Sequence, residues 1–192
     1  MLTIAWDVDD VLNDLMRYWL ESRRAGRAGS APVYEDLTEN PPHTLLGIEK
    51  EHYLRSLDEF RLSSAFQAMP PDPEICAWLA QHGHRFHHLA LTATPRKAAS
   101  ASAAWVFRHF GDWIRTFHFV PSLRPGEELP AYDLTKADYL RRWAGVDVFI
   151  DDSEMNLNGA KDLGIRCFLV SRPWNSGGMT VAEILGALST LE

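Results

Sequence analysis

Residues 2–12 read Leu2-Thr3-Ile4-Ala5-Trp6-Asp7-Val8-Asp9-Asp10-Val11-Leu12, a short apolar run that passes straight into three carboxylates. A run apolar on both faces suits a strand buried on both sides, as in a parallel sheet covered by helices. In open α/β sheets, ligands collect outside the carboxyl ends of such strands. The acids have two readings. Aspartate is favoured in turns and at helix N-caps, so the cluster can be a capped turn. Alternation along an extended backbone also sets Asp7 and Asp9 on one side, where their oxygens can converge on a hard cation.

Working outward, further apolar strand segments are expected at 86–91, 116–120, 146–150 and 166–170, with helical patterns between them at 73–81, 97–110, 134–143, 156–163 and 180–191. Gly83, Gly111, Gly145 and Gly164 stand where the first four of these helices close. Strands alternating with helices of this length require crossover connections, so the fold class is α/β: a Rossmann-like, mostly parallel sheet with helices on both faces. One region breaks the alternation. Between 13 and 69 there is no strand pattern, only helices expected at 15–24 and 48–57 around a Gly- and Pro-containing stretch at 25–43. Residues 1–12 and 70–192 therefore read as the core, and 13–69 as a helical insertion after the first strand.

The 192 residues carry 26 acids against 19 Lys and Arg, a formal charge of −7. That balance argues against a nucleic-acid polymer as partner, because counterion release needs clustered cations. It leaves a small anion open, since a metal or a local pocket can reverse the average field. Cys76 and Cys167 are too few for a disulfide framework and read as buried free thiols. No apolar run is long enough to cross a bilayer, and residues 1–6 lack a positively charged leader pattern, so the expectation is a cytoplasmic protein that is no membrane partner.

Two more strand ends carry polar groups. Leu91-Thr92-Ala93-Thr94-Pro95-Arg96-Lys97 offers a hydroxyl and backbone N–H groups at a helix start, a natural anion cradle. Capping explains the same residues, with Thr94 as N-cap and Pro95 at the first helical position. Ile150-Asp151-Asp152-Ser153-Glu154 repeats the strand-to-acid arrangement of the first segment. Crowded acids repel unless a cation offsets them, and with only oxygen donors present the ion expected is Mg²⁺. Lys136 falls in the first turn of a helix, against the helix dipole; it is either solvated or there to neutralise a carboxylate. His82, His84, His87 and His88 fit no zinc spacing and read as surface or strand-edge residues. Trp78, Trp105 and Trp143 read as core, Tyr18 and Trp19 as candidates to face a substrate, and the 173–178 loop as a rim of the same cleft.

The order Asp7-x-Asp9, Thr92, Lys136, Asp151-Asp152 resembles the four motifs of the haloacid dehalogenase-like superfamily, and the 13–69 insertion stands where that family carries its C1 cap. Within it, Asp7-Val8-Asp9-Asp10-Val11-Leu12-Asn13-Asp14 and Ile150-Asp151-Asp152 look most like the 5′(3′)-deoxyribonucleotidase-like group. The resemblance implies a Mg²⁺-dependent phosphomonoester hydrolase acting on a small-molecule phosphate ester, a nucleoside monophosphate as first guess. It implies Asp7 as nucleophile, Asp9 as acid and base, Thr92 as the group holding a phosphate oxygen, and Lys136 as the residue that orients Asp7 and balances its charge. From their place in the cradle and just after it, Ala93 and Arg96 are further substrate-binding candidates, with a solvated helix start as the other reading of Arg96. It implies a metal held by Asp7, Asp9 (through its carbonyl), Asp151 and Asp152, without choosing between the last two. The alternatives are a receiver-like domain or a phosphate-ligand-binding regulatory domain without turnover. In a receiver the phosphorylated Asp ends a middle strand, an order this chain does not follow.

Overall fold

The computed structural model describes residues 1–24, 32–143 and 145–191. Part of the stretch expected to be loosely patterned, 25–31, lies outside them. Five strands form one parallel sheet: β1 (Thr3–Trp6), β2 (His87–Thr94), β3 (Ile114–Pro121), β4 (Val148–Asp151) and β5 (Arg166–Leu169), in the order β3-β2-β1-β4-β5. The chain builds outward from β1 to β2 and β3, then returns to β1's other edge with β4. The switch in direction leaves a crevice at the carboxyl ends of β1 and β4, where such sheets bind ligands.

Helices cover both faces. Alternate residues of β1 point opposite ways, so Ala5 packs with Leu91, Phe149 and the helices α6 (Lys136–Arg142) and α7 (Glu154–Lys161). Ile4 and Trp6 pack on the other face with α4 (Pro73–His82), α5 (Arg96–Phe110) and α8 (Val181–Ser189). Trp6 Nε1 donates to His88 Nδ1 at 3.0 Å, which fixes the proton of His88 on Nε2, 2.9 Å from the carbonyl of Gly83. His88 is thus a buried linker inside the sheet, a correction to the reading of that cluster as surface or strand-edge residues.

Between β1 and α4 lie α1 (Leu15–Arg24), a turn of 3₁₀ helix at Tyr34–Asp36, α2 (Lys50–Arg61) and α3 (Ser64–Ala68). Their apolar side chains, Met16, Trp19, Leu57 and Phe66 among them, belong to the same packed cluster as Trp6 and Trp105. The α3–α5 contact is stitched by Trp105 Nε1 donating to the carbonyl of Met69 at 2.8 Å, and by Arg108 Nη1 donating to that of Gln67 at 2.7 Å.

Several expectations need correction. β2 continues to Thr94 because β3 pairs with it through Thr94↔Pro121. Thr94 is fully buried in the strand, so Pro95 takes the N-cap position of α5. Trp143 is 59% exposed just past α6, so it is no core residue. Trp19 is fully buried, its indole N–H on Ser56 Oγ and its ring edge-on to Tyr53, so it packs α1 against α2 instead of facing a ligand. Both cysteines are free but only half-buried. No helix among the described residues is long and apolar enough to cross a membrane.

The α3–α5 junction predicts a measurable cost. Trp105→Ala removes a fully buried ring and its hydrogen bond to Met69, and should lower unfolding free energy in urea by about 3–5 kcal/mol. A loss below 1 kcal/mol would mean that this junction does not support the fold.

Candidate active site

The register of the sheet assembles the site. Trp6 pairs with Ile150, and the amide of Asp7 donates to the carbonyl of Ile150 at 2.9 Å, so Asp7 leaves β1 beside Asp151 and Asp152. Trp6 also pairs with Ala90, two residues before Thr92. Beyond Asp7 the chain turns tightly through Val8–Leu12, with Asp10 in the left-handed region at φ 60°. Asn13 holds that turn, its Oδ1 accepting from the amides of Asp10 and Leu15.

Lys136 is the centre of the cluster. Its side chain is 1% exposed, and Nζ lies 2.7 Å from both Asp7 Oδ1 and Asp151 Oδ2. Thr135 and Asp138 form a reciprocal capping box that sets the first turn of α6 and so fixes where Lys136 starts. A lysine in a first turn opposes the helix dipole by roughly 0.3–1 kcal/mol. Two carboxylates in contact outweigh this, since one unit-charge pair at 4 Å is worth about 4 kcal/mol even at an effective dielectric of 20. Lys136 is therefore a buried counter-ion, not a solvated surface lysine.

The two acids of β4 have different environments. Asp151 Oδ1 accepts from the amide of Ser153 at 2.8 Å, its Oδ2 takes Lys136, and Asn156 Nδ2 reaches both oxygens at 3.1 Å. Its oxygens are spent on the protein, and it does not line the cleft. Asp152 does line it, with Oδ2 accepting from Trp174 Nε1 at 2.8 Å and its carbonyl from Asn175 Nδ2 at 2.9 Å. The 171–179 loop that carries Trp174 closes through Ser171 N–H on the carbonyl of Met179 at 2.8 Å. A Cβ on Gly178 would lie 2.6 Å from Ser171 Cα, which is why a glycine sits there.

Asp7, Asp151 and Asp152 each offer an oxygen within 4.8 Å of the others, all three buried. One lysine against three carboxylates leaves two negative charges uncompensated. Burial pushes the Asp7 carboxyl well above its usual range, Asp151 and Asp152 adding to the shift and Lys136 opposing it. Burial, then Asp151, pushes Asp152 up to about 8. Asp10, buried beside the same turn, is likewise pushed up to about 8 by burial. An all-oxygen donor set with a deficit of two positive charges fits a hard divalent cation.

The cleft has a volume of about 500 Å³. Thr92, Ala93, Asp9 and Asp10 line it on the sheet side, and Leu15, Met16, Tyr53, Leu57 and Arg61 of α1 and α2 line it opposite. Thr92 Oγ1 and Asp9 Oδ1 are buried without a hydrogen-bond partner among the described residues. Asp9 Oδ2 accepts from Arg61 Nη2 at 2.8 Å, so the Asp9 carboxylate stands apart from the acidic trio, which corrects the expectation that the Asp7 and Asp9 side chains converge on one cation. Arg96 is exposed and opens on a different cavity, with Phe117 and Tyr132, so the structure does not bring it to this cleft. Arg61 was missed because the helix expected at 48–57 runs to 61, one turn further. The 173–178 loop does reach the cleft, through Trp174, Asn175 and Ser176.

No family model matches the chain, and no curated protein matches it in sequence. Solved structures do match it in fold along its whole length. A haloacid dehalogenase-like family hydrolase from Streptococcus pneumoniae aligns over 97% of this chain and 90% of its own at 14% identity, TM-score 0.56. A predicted phosphatase from Clostridium acetobutylicum aligns over 99% of each chain at 14% identity, TM-score 0.59. Protein tyrosine kinase A of Mycobacterium tuberculosis aligns over 98% of each at 15% identity, TM-score 0.67. The chain thus has the haloacid dehalogenase-like fold, with its acids and lysine at the crevice of that fold. Because a hydrolase and a kinase appear among the similar structures, the fold by itself does not select the reaction.

The buried acids set a pH dependence. A carboxyl whose folded pKa exceeds its unfolded value binds its proton more tightly when folded, so stability falls as pH rises towards the folded pKa. With Asp10 and Asp152 at about 8, chelator-treated protein should melt at higher temperature at pH 5 than at pH 8. A flat melting profile over that window would contradict the buried-acid cluster. Lys136→Met leaves Asp7 and Asp151 buried without their cation, and should lower stability at pH 8 by about 3–5 kcal/mol in urea unfolding.

Proposed function

We propose that the chain is a Mg²⁺-dependent phosphomonoester hydrolase that works through an aspartyl-phosphate on Asp7. The observation that carries the reading is the Lys136 ammonium held between Asp7 and Asp151, beside a cleft where Thr92 presents an unpartnered hydroxyl. A carboxylate can attack a phosphoryl group only where cations offset the repulsion between the two anions.

Asp7 Oδ1 accepts from Lys136 and from the amide of Val8 at 2.7 Å, which orients the carboxylate and leaves Oδ2 to attack phosphorus. As the Oδ2–P bond forms, the ester P–O bond breaks, and Asp9 gives its proton to the leaving alcohol. Asp9 Oδ1, the oxygen without a partner, is the one suited to carry that proton. Asp9 then takes a proton from the water that attacks the aspartyl-phosphate, and inorganic phosphate leaves with Asp7 restored. Thr92 Oγ1 holds a phosphoryl oxygen, with the Ala93 backbone beside it. Asp7, Asp152 and the backbone carbonyl of Asp9 would hold Mg²⁺, whose charge would stabilise the phosphoryl oxygens. Asp152 is preferred over Asp151 because Asp151's oxygens are already held by Lys136, Ser153 and Asn156.

Residues 13–69 act as a cap, since α1 and α2 form the wall of the cleft opposite the sheet. The cleft volume lies within the range for small-molecule sites, so a small phosphorylated metabolite fits. Nucleoside monophosphates are the first class to assay, followed by sugar phosphates and phosphorylated acids.

Wild-type protein should release phosphate from an aryl phosphate when Mg²⁺ is added and not after chelation. Asp7→Asn should lower kcat by on the order of 10³–10⁶-fold. Absence of phosphate release from a broad ester panel, or full activity in Asp7→Asn, would sink the proposal. Trp174→Phe removes the N–H that holds Asp152 while keeping a ring, and should weaken Mg²⁺ binding by about 10-fold in calorimetry. Unchanged affinity would show that Asp152 does not depend on that hydrogen bond.

A further inference from the structure

Arg172 stands two residues before Trp174 on the loop beyond β5, and its contacts lead to the other acidic strand end. Its Nε donates to the backbone carbonyl of Asp10 at 2.6 Å, joining segments 162 residues apart. The acceptor is an unusual one. A guanidinium pairs by preference with a carboxylate, bidentately where it can. The Asp14 carboxylate is near, with Oδ1 3.5 Å from Arg172 Nη2, yet Nη2 makes no hydrogen bond among the described residues. The Asp14 side chain is also 41% exposed, and ion pairs to exposed acids contribute little. The short bond goes to an uncharged carbonyl instead.

Asp10 is the point of the turn that most needs holding. At φ 60° and ψ 16° it occupies the left-handed region, which an aspartate enters at a cost. Such a conformation persists where its surroundings over-determine it. Two anchors of Asp10 are local: its N–H donates to Asn13 Oδ1 at 3.2 Å, and its Oδ1 accepts from the amide of Met16 at 3.0 Å. These shape the turn but move with it. The ends of the turn are tied to the rest of the fold, Asp7 to the carbonyl of Ile150 and the Leu12 carbonyl to the amide of Asp72, both at 2.9 Å. Arg172 ties its middle. The mount of Arg172 is fixed in turn: its amide donates to Asn175 Oδ1 at 3.2 Å, and Asn175 Nδ2 donates to the carbonyls of Asp152 and Val170 at 2.9 Å. One loop thus joins the turn that carries Asp9 to the strand end that carries Asp152.

Resting on the proposed hydrolase reading, we infer that Arg172 is a positioning residue for Asp9. By holding the Asp10 carbonyl it fixes the backbone from which Asp9 presents its carboxyl to the ester oxygen and its carbonyl to Mg²⁺. Arg172 does not line the cleft, so it acts on the chemistry through this turn and not by touching the substrate.

Leaving groups of different basicity separate this role from a general loss of structure. As the ester P–O bond breaks, an alkoxide needs the proton of Asp9, whereas a nitrophenolate departs without one. Arg172→Met keeps the aliphatic stem and removes the donor; Arg172→Lys keeps a cation and carries the same comparison if Arg172→Met does not fold. At saturating Mg²⁺, Arg172→Met should lower kcat/KM for phenethyl phosphate by about 10–100-fold and for p-nitrophenyl phosphate by less than about threefold, part of what a well-placed general acid contributes. Arg172→Lys should lose less on the alkyl ester. Calorimetry without substrate should show Mg²⁺ bound about 10-fold more weakly by Arg172→Met, the usual effect of removing a group that orients a ligand. Asp14→Asn, which removes the ion pair and leaves the carbonyl contact, should match wild type in both measurements. Equal losses on the two esters, Mg²⁺ affinity as in wild type, or an Asp14→Asn variant as impaired as Arg172→Met would each overturn the inference. Wild type that hydrolyses neither ester removes the hydrolase reading, while weakened Mg²⁺ binding in Arg172→Met would still show that Arg172 orders the turn.

Discussion

A single buried ammonium holds this structure's crevice together. Lys136 bridges the ends of two adjacent strands by contacting Asp7 and Asp151 at the same distance, 2.7 Å. Without it, the register that brings β1 beside β4 would place like charges together away from water. With it, the site still lacks positive charge, because Asp152 joins the other two. This residual imbalance is what the proposed Mg²⁺ would offset.

The rest of the architecture serves to keep those groups in place. The capping box of Thr135 and Asp138 fixes the start of α6, the side-chain Oδ1 of Asn13 ties the turn after Asp7, and Trp174 and Asn175 steady Asp152 from the loop beyond β5. The α1–α2 side is attached differently. It shares the apolar core through Met16, Trp19, Leu57 and Phe66, and its charged contacts with the core include Asp58 to Arg124 and Lys97 and Arg61 to Asp9. The two sides of the cleft thus differ in charge balance: acids outnumber Lys136 on the sheet side, whereas buried Arg61 and Arg124 are matched by Asp9 and Asp58 at α2.

Much of this was legible along the chain because it depends on local pattern. Apolar runs ending in Asp7 and in Asp151-Asp152 announced buried strands with polar ends, and the glycine-closed helical stretches between them announced a parallel sheet. What failed did so for identifiable reasons. Helix length was underestimated in α2, since Asp58, Glu59 and Arg61 look like a solvated end, and so Arg61 was overlooked. Arg96 follows the proposed phosphate cradle in sequence, but continuing β2 to Thr94 carries it past the cleft. Trp19 and Trp143 exchanged their expected places because an aromatic residue's burial depends on what packs against its helix, not on the helix itself.

The sequence by itself determined the alternation of strands and helices, the strand ends at which acids would gather, and the lysine placed against its helix dipole. These follow from hydrophobic periodicity and local backbone preference, which act over a few residues. Only the tertiary structure decided that Asp151 is spent on Lys136, Ser153 and Asn156 while Asp152 faces the cleft, and that Asp9 is paired with Arg61. Adjacent acids have the same chemistry along a chain; they differ in which donors the fold brings to each. Those donors come from segments up to 52 residues away, as Arg61 does for Asp9, and their approach is set by packing and register.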